Sequence, residues 1–197
     1  VSCSKLGLRL RGGDERCRTL HTLLPGWHPM TGPSAITAYR PCVGVMLLNA
    51  QGLVWIGRRY QKQNDEGTGK WWQMPQGGVD EGEDIEAAAR RELAEETSVT
   101  SVALLAEAPD WYKYDLPQQL IGVSWKGRYR GQTQKWFAYR FEGDESEIDL
   151  APPGHKQEFD QWRWADFWEP VREVIEFKRD VYRQALHQLG RAAFGDA

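Results

Sequence analysis

No apolar run in this 197-residue chain approaches the roughly 18 to 20 residues needed to cross a bilayer. A membrane-embedded protein is therefore not expected, and the mean hydropathy of −0.64 agrees. Cysteine is scarce. Cys3, Cys17 and Cys42 are too few and too unevenly placed for a disulfide framework or a zinc site with paired cysteine spacing. A reducing compartment, and hence a cytoplasmic location, is the expectation. A large excess of one charge is missing as well: 25 Lys and Arg against 28 Asp and Glu leave a net charge of −3. That balance argues against a generally cationic, sequence-blind duplex binder, so double-stranded DNA is not an expected partner. Repeats and low-complexity stretches are absent, and 41% apolar with 27% charged residues is the composition of one globular domain.

Residues 1–29 lack any apolar periodicity. They carry Lys5, Arg9, Arg11, Arg16 and Arg18 but no hydrophobic region long enough for a secretory signal. Asp14 and Glu15 interrupt what would otherwise resemble an organelle-targeting peptide. The expectation is an upstream extension, disordered or spurious, with the folded chain starting after Met30. A domain over residues 38–189 and a tail over 190–197 complete the organisation.

From Tyr39 onward the pattern is dense. Val43 to Asn49 is an apolar run, Ala50-Gln51-Gly52 a turn and Leu53 to Arg58 a second run, which together predict a hairpin of buried strands. Gln63 to Lys70 reads as a polar loop, and Gly77-Gly78 as a turn that uses glycine's backbone freedom. Residues 84–97 predict a helix with Ile85, Ala88, Ala89 and Leu93 on its apolar face. Strands are expected near Val102 to Leu105, Lys135 to Phe141 and Gln161 to Trp164. One last helical segment is expected from Pro170, its stripe running from Val171 to Leu189. Helices between and after strands imply a mixed sheet covered on both faces.

Charge is unevenly spread in two places. Between Asp80 and Glu96 there are eight acids against only Arg90 and Arg91. On a helix, Glu95 and Glu96 fall about 60° to one side and 40° to the other of Glu92, so three carboxylates share a face. Each like-charged pair destabilises a helix by roughly 0.2–0.5 kcal/mol. A solvated acidic face is one reading. The other is a site for Mg²⁺ or Mn²⁺, which bind carboxylate oxygens together with waters and phosphates. An EF-hand calcium loop is excluded, because Asp80-Glu81-Gly82-Glu83-Asp84 lacks its ligand spacing. The second place is the acid-free stretch from Leu116 to Phe141, where Lys126, Arg128, Arg130, Lys135 and Arg140 interleave with Trp125, Tyr129, Trp136, Phe137 and Tyr139. Such a stretch suits phosphates and stacked bases. Equally, its aromatics suit a sheet core, which is the first reading for Trp71, Trp162 and Trp164. His155 reads as a loop residue.

Gly77, five residues, Glu83, seven residues, Arg91-Glu92-Leu93-Ala94-Glu95-Glu96, one residue, then Ser98-Val99 resembles the Nudix box, with Ser98 standing where the family pattern has Gly. The resemblance implies a Nudix-type α/β/α sandwich. It also implies metal ligation by Glu92, Glu95 and Glu96 with Gly77, Arg91 holding the glutamates, and Gly78 and Glu83 shaping the loop-helix motif. Water attack on a phosphorus of a nucleoside-linked polyphosphate follows from the same likeness, with Mg²⁺ or Mn²⁺ as Lewis acid. Further matches resemble the bacterial RNA pyrophosphohydrolases and dinucleoside polyphosphate hydrolases. They are Tyr39-Arg40-Pro41, Trp72 to Gly78, Tyr114 to Pro117, Gly131 to Phe137, Ser146 to Ile148, Glu158 to Asp160 with Trp162 to Trp164, and Phe177 to Arg179. By that likeness Glu147 completes the metal site or acts as base, Arg40, Arg58 and Lys135 bind phosphates, and Phe177 stacks on a base. The expected substrates are 5′-tri- or diphosphorylated RNA, whose trimming promotes mRNA decay, or else diadenosine tetraphosphate. A non-catalytic nucleotide sensor of the same fold would be expected to lose these glutamates.

Overall fold

A computed structural model describes residues 38–60 and 71–194. The expectations for residues 1–29, Met30 and the loop at 63–70 lie outside the described residues.

The predicted hairpin is present as β1 (Tyr39–Leu48) and β2 (Val54–Arg59), which are antiparallel where Leu48 meets Val54. The Asn49 side chain closes the turn by accepting from the backbone N–H of Gln51 and Leu53. Beyond the turn the two strands part, because the segment after Trp71 enters between them. There β3 (Trp72–Gln73) pairs with β2 and β4 (Gln76–Gly78) pairs with β1. Pro75 joins the two short strands, and its carbonyl accepts from Val45 N.

The other edge of β1 runs parallel to β6 (Gly131–Phe141) over its whole length, and β6 pairs antiparallel with β5 (Val102–Asp115). On the far side β7 (Phe159–Ala165) pairs with β2. One mixed seven-stranded sheet results, as the sequence implied.

Alternation along β1 supplies both faces of this sheet. Val43, Val45 and Leu47 pack with Ala88, Ala89 and Leu93 of α1 (Ile85–Thr97). Met46 and Leu48 pack with Val181, Tyr182, Ala185, Leu186 and Leu189 of α3 (Arg179–Phe194). Each fully buried large side chain contributes roughly 1.5–3 kcal/mol, so these two layers outweigh local propensity in setting the sandwich.

Four expectations change. β5 does not stop at Leu105 but continues to Asp115, through irregularities at 104/106 and 107/111 where Pro109 cannot donate to the ladder. The final helical segment is two helices, α2 (Glu169–Glu173) and α3, because Val174 and Ile175 are extended and a 3₁₀ turn at Glu176–Lys178 intervenes. α3 carries the chain on to Phe194, into the stretch assigned to the tail. Finally, Gly77 and Gly78 form no turn; they lie in β4, and the positive-φ glycine of this region is Gly82.

Candidate active site

Helix α1 starts where Asp84 accepts from Ala87 N and ends at Ser98, whose φ of 66° is left-handed. Serine thus occupies the conformation usually given to glycine, a position that strains L-residues by roughly 1–2 kcal/mol. The Ser98 hydroxyl donates to the Asp149 carbonyl at 3.3 Å, which offsets part of that strain. The helix end survives the departure from the Nudix pattern.

The acidic face is organised by one guanidinium. Arg91 uses all five of its N–H donors. Nε and Nη2 grip the Glu83 carboxylate at 2.7 and 2.8 Å, Nη2 also donates to the Gly78 carbonyl at 2.8 Å, and Nη1 donates to Glu92 at 2.9 Å and to Glu95 at 3.4 Å. Glu83 in turn accepts from Asp80 N at 2.9 Å. This pairing, with the Asp80 N–H second, holds the Glu83 carboxyl down at about 2. Arg91 therefore ties the 78–83 loop to the helix and sets the directions of Glu92 and Glu95.

The glycines do a different job from the one expected. A Cβ on Gly77 would run into the Glu92 carboxylate, and a Cβ on Gly78 would meet the Arg40 guanidinium. The pair lets β4 lie against both side chains.

Glu96 is 5% exposed, and its Oε2 accepts from Gln76 N at 3.0 Å. Burial drives its carboxyl well above the ordinary range, and burial likewise raises Glu92. Glu158, at the edge of β7, lies near enough to raise Glu96 further by like charge, and is itself paired with Arg59 at 3.0 Å. Glu92, Glu95, Glu96 and Glu158 line one cleft of about 820 Å³. Among the described residues, no three acids or imidazoles converge on a ready-made cation cage; the carboxylates share a wall. That arrangement fits a hard dication held by few protein oxygens plus water and phosphate. Desolvated carboxylates with so few donors call for one.

The same cleft is lined by Arg40, Arg59 and Lys178, and by the aromatic side chains of Tyr114, Trp125 and Phe177. Arg40 lies 5.9 Å from the Trp125 ring centre. Lys178 is part-buried, and desolvation brings its ammonium down to about 7. Phe177 packs on Tyr114 with ring centres 5.4 Å apart.

The structure thus gathers Gly77, Gly78, Arg40, Glu92, Glu95, Glu96 and Phe177 at one cleft, with Arg91 and Glu83 directly behind. Three candidates lie elsewhere. Glu147 sits in a 3₁₀ turn, where its Oε1 accepts from the backbone N–H of Thr100 and Ser101 and from the Thr100 hydroxyl. It anchors the loop after α1. Arg58 points away from the cleft into a two-bond pair with Asp160, because strand alternation gives the cleft to Arg59 instead. Lys135 is spent on Glu107 at 2.8 Å and on the Pro109 carbonyl at 3.2 Å.

Conversely, sequence reasoning missed Glu158, Arg59 and Lys178. Glu158 begins a motif to which the family resemblance assigns no role, and Arg59 is the neighbour of Arg58. Lys178 adjoins Phe177. Trp71 and His155 also line the cleft, His155 at 3.8 Å from Glu95. Trp162 and Trp164 pack on the core as expected.

Comparison with known proteins agrees with this geometry. The NUDIX domain model matches residues 38–187. An RNA pyrophosphohydrolase of Rhizobium meliloti is 59% identical over 152 residues, covering 75% of this chain and 91% of that protein. One from Mesorhizobium japonicum is 56% identical over 159 residues, 79% and 92% of the two chains. The E. coli dihydroneopterin triphosphate pyrophosphohydrolase superposes with a TM-score of 0.54 at 18% identity, over 77% of this chain and 99% of that one. A C. elegans Ap4A hydrolase complex gives 0.51 at 17%, over 74% and 93%. At those identities the two structures speak for the fold alone. A loop-helix motif with its arginine-bound glutamates, a mixed sheet between helices and a domain match across the described core lead to one conclusion: this chain belongs to the Nudix family of hydrolases.

Proposed function

We propose that the protein hydrolyses the 5′-terminal polyphosphate of tri- or diphosphorylated RNA, releasing pyrophosphate or phosphate and leaving a 5′ monophosphate. The observation that carries this reading is the cleft itself. Four carboxylates, Glu92, Glu95, Glu96 and Glu158, share it with the cations Arg40, Arg59 and Lys178 and with the aromatic rings of Tyr114 and Phe177. The relatives from Rhizobium meliloti and Mesorhizobium japonicum, which bear the name RNA pyrophosphohydrolase, support it.

Glu92, Glu95, Glu96 and Glu158 would hold Mg²⁺ or Mn²⁺, which supplies Lewis acidity toward a phosphoryl oxygen. Arg91 keeps Glu92 and Glu95 oriented, so little reorganisation is needed when substrate arrives. Glu95, the most exposed of the three helix acids, would take a proton from the attacking water. Arg40 and Lys178 neutralise charge that builds on the phosphate oxygens as the anhydride P–O bond breaks. Phe177, at the cleft edge, offers a face to a base.

Product analysis tests this. Incubation of a 5′-triphosphorylated oligoribonucleotide with the protein and Mg²⁺ or Mn²⁺ should yield pyrophosphate or phosphate and a 5′-monophosphorylated chain, and chelation should stop it. A parallel reaction with diadenosine tetraphosphate measures the competing substrate. No release from the RNA by folded protein would overturn the proposal.

A further inference from the structure

The cleft is bordered by a chain of glutamines whose amide directions are dictated from its Trp136 end. Gln134, fully buried on β6, has a complete set of partners. Its Oε1 accepts from Trp136 Nε1 at 3.2 Å, while its Nε2 donates to Gln132 Oε1 at 2.9 Å and to Gln76 Oε1 at 3.1 Å. An indole N–H can only donate, so Gln134 must turn its oxygen toward Trp136 and both amide hydrogens toward the other two glutamines. The oxygens of Gln76 and Gln132 are thereby committed inward. Gln76 Nε2 passes the polarity on by donating to Gln73 Oε1 at 3.4 Å. That oxygen also accepts from Lys178 Nζ at 3.4 Å.

What is left over has one sign. Gln73 is 4% exposed and its Nε2 is a buried donor with no partner among the described residues. Gln132 Nε2 has none among the described residues, and both side chains line the cleft beside Lys178. A buried N–H without an acceptor is costly, whereas a charged acceptor makes one of the stronger hydrogen bonds.

We propose that Trp136 and Gln134 are positioning residues: by polarising the glutamine chain, they make Gln73 and Gln132 a wall of donors next to Lys178, which takes phosphate oxygens of the substrate and refuses groups that donate. This rests on the polyphosphate-hydrolase reading above.

A double-mutant cycle on 5′-triphosphorylated RNA separates positioning from plain structure. Gln134→Met should raise KM about tenfold with kcat nearly unchanged. In a Gln73→Met/Gln132→Met background, the same change should raise KM by less than about twofold, since the groups it acts through are gone. Trp136→Phe keeps a ring against Gly44 but removes the indole N–H, and should shift KM in the same direction; it carries the test if Gln134→Met does not fold. Fully additive losses, or unchanged KM in folded variants, would overturn the proposal. Should the wild-type protein fail to hydrolyse RNA, the functional reading falls by itself. Calorimetric binding of inorganic tripolyphosphate then decides the donor wall: weaker binding by each variant supports it, and equal binding overturns it.

Discussion

Two stretches of this chain stand out by charge, and the fold treats them in opposite ways. From Asp80 to Glu96 the acids are brought together: Arg91 collects Glu83, Glu92 and Glu95, and Glu96 is driven into the core beside them. From Leu116 to Phe141 the basic groups are dispersed. Arg130 pairs with Asp115, Lys135 with Glu107 and Arg140 with Glu142, while Trp136, Phe137 and Tyr139 are fully buried in the sheet core. The difference lies in the period of the backbone. Helical spacing of three and four residues puts Glu92, Glu95 and Glu96 on one face, whereas alternation along β6 sends neighbours to opposite faces, and Arg130, Lys135 and Arg140 each find a separate acid, the first two on β5. A charge cluster in sequence becomes a charge cluster in space only where the local period allows it.

The comparison breaks most severely at Glu96. Glu96→Gln keeps the shape but removes a charge from the proposed cation site, so kcat should fall by about 10³-fold, worth several kcal/mol at the transition state. Because burial opposes the charged carboxylate, thermal unfolding of this variant should stay cooperative, with an unchanged or higher Tm. Near wild-type turnover would dissolve the contrast between the two stretches.

Arg91→Ala attacks the organiser itself. Losing a part-buried guanidinium that holds two other carboxylates besides Glu83 should cost about 2 kcal/mol of stability and lower turnover by about one to two orders of magnitude. The same contact predicts a pH signature. Glu83 has a folded pKa of about 2 against an ordinary 4.5, so its stabilising contribution is complete above 4.5 and is lost as pH falls toward 2. Denaturant unfolding of Glu83→Gln should therefore show a flatter pH dependence between 4.5 and 2 than the wild type; parallel curves would remove Glu83 from the organising role.

Ser98→Gly relieves the left-handed strain at the end of α1 and forfeits one hydroxyl contact, for a net gain of at most about 1 kcal/mol, read as a Tm increase of a few degrees. A lower Tm would make the Asp149 contact the larger effect. The smallest effect is expected in the basic stretch. Arg128 donates to neighbouring Tyr129 and Arg130 is held by Asp115, and neither lines the cleft. Arg128→Ala with Arg130→Ala should change KM for triphosphorylated RNA by less than about threefold and leave its salt dependence nearly as steep; a slope flattened by about 0.7 per lost contact would restore this stretch as an RNA surface.

The covered mixed sheet and α1 with its three-carboxylate face were legible in the sequence, because both depend on periodicity. The close approach of Gly77 and Gly78 to Glu92 and Arg40 was not, since the sequence reads them as a turn and the fold makes them a strand. Other features were decided only by the tertiary structure. Arg59 rather than Arg58 enters the cleft because β2 pairs with β7 in a register that points Arg58 at Asp160. Glu158 rather than Glu147 joins the acidic wall because β7 returns to the edge of β2, whereas the turn holding Glu147 closes on the backbone after α1. Likewise the break at Val174 follows from packing: an uninterrupted helical pattern gives way where Val174 is buried in the core and the chain extends before α3. Strand partners far apart in the chain carry no local period, so which of two candidate acids or arginines lines the cleft is settled when the sheet closes.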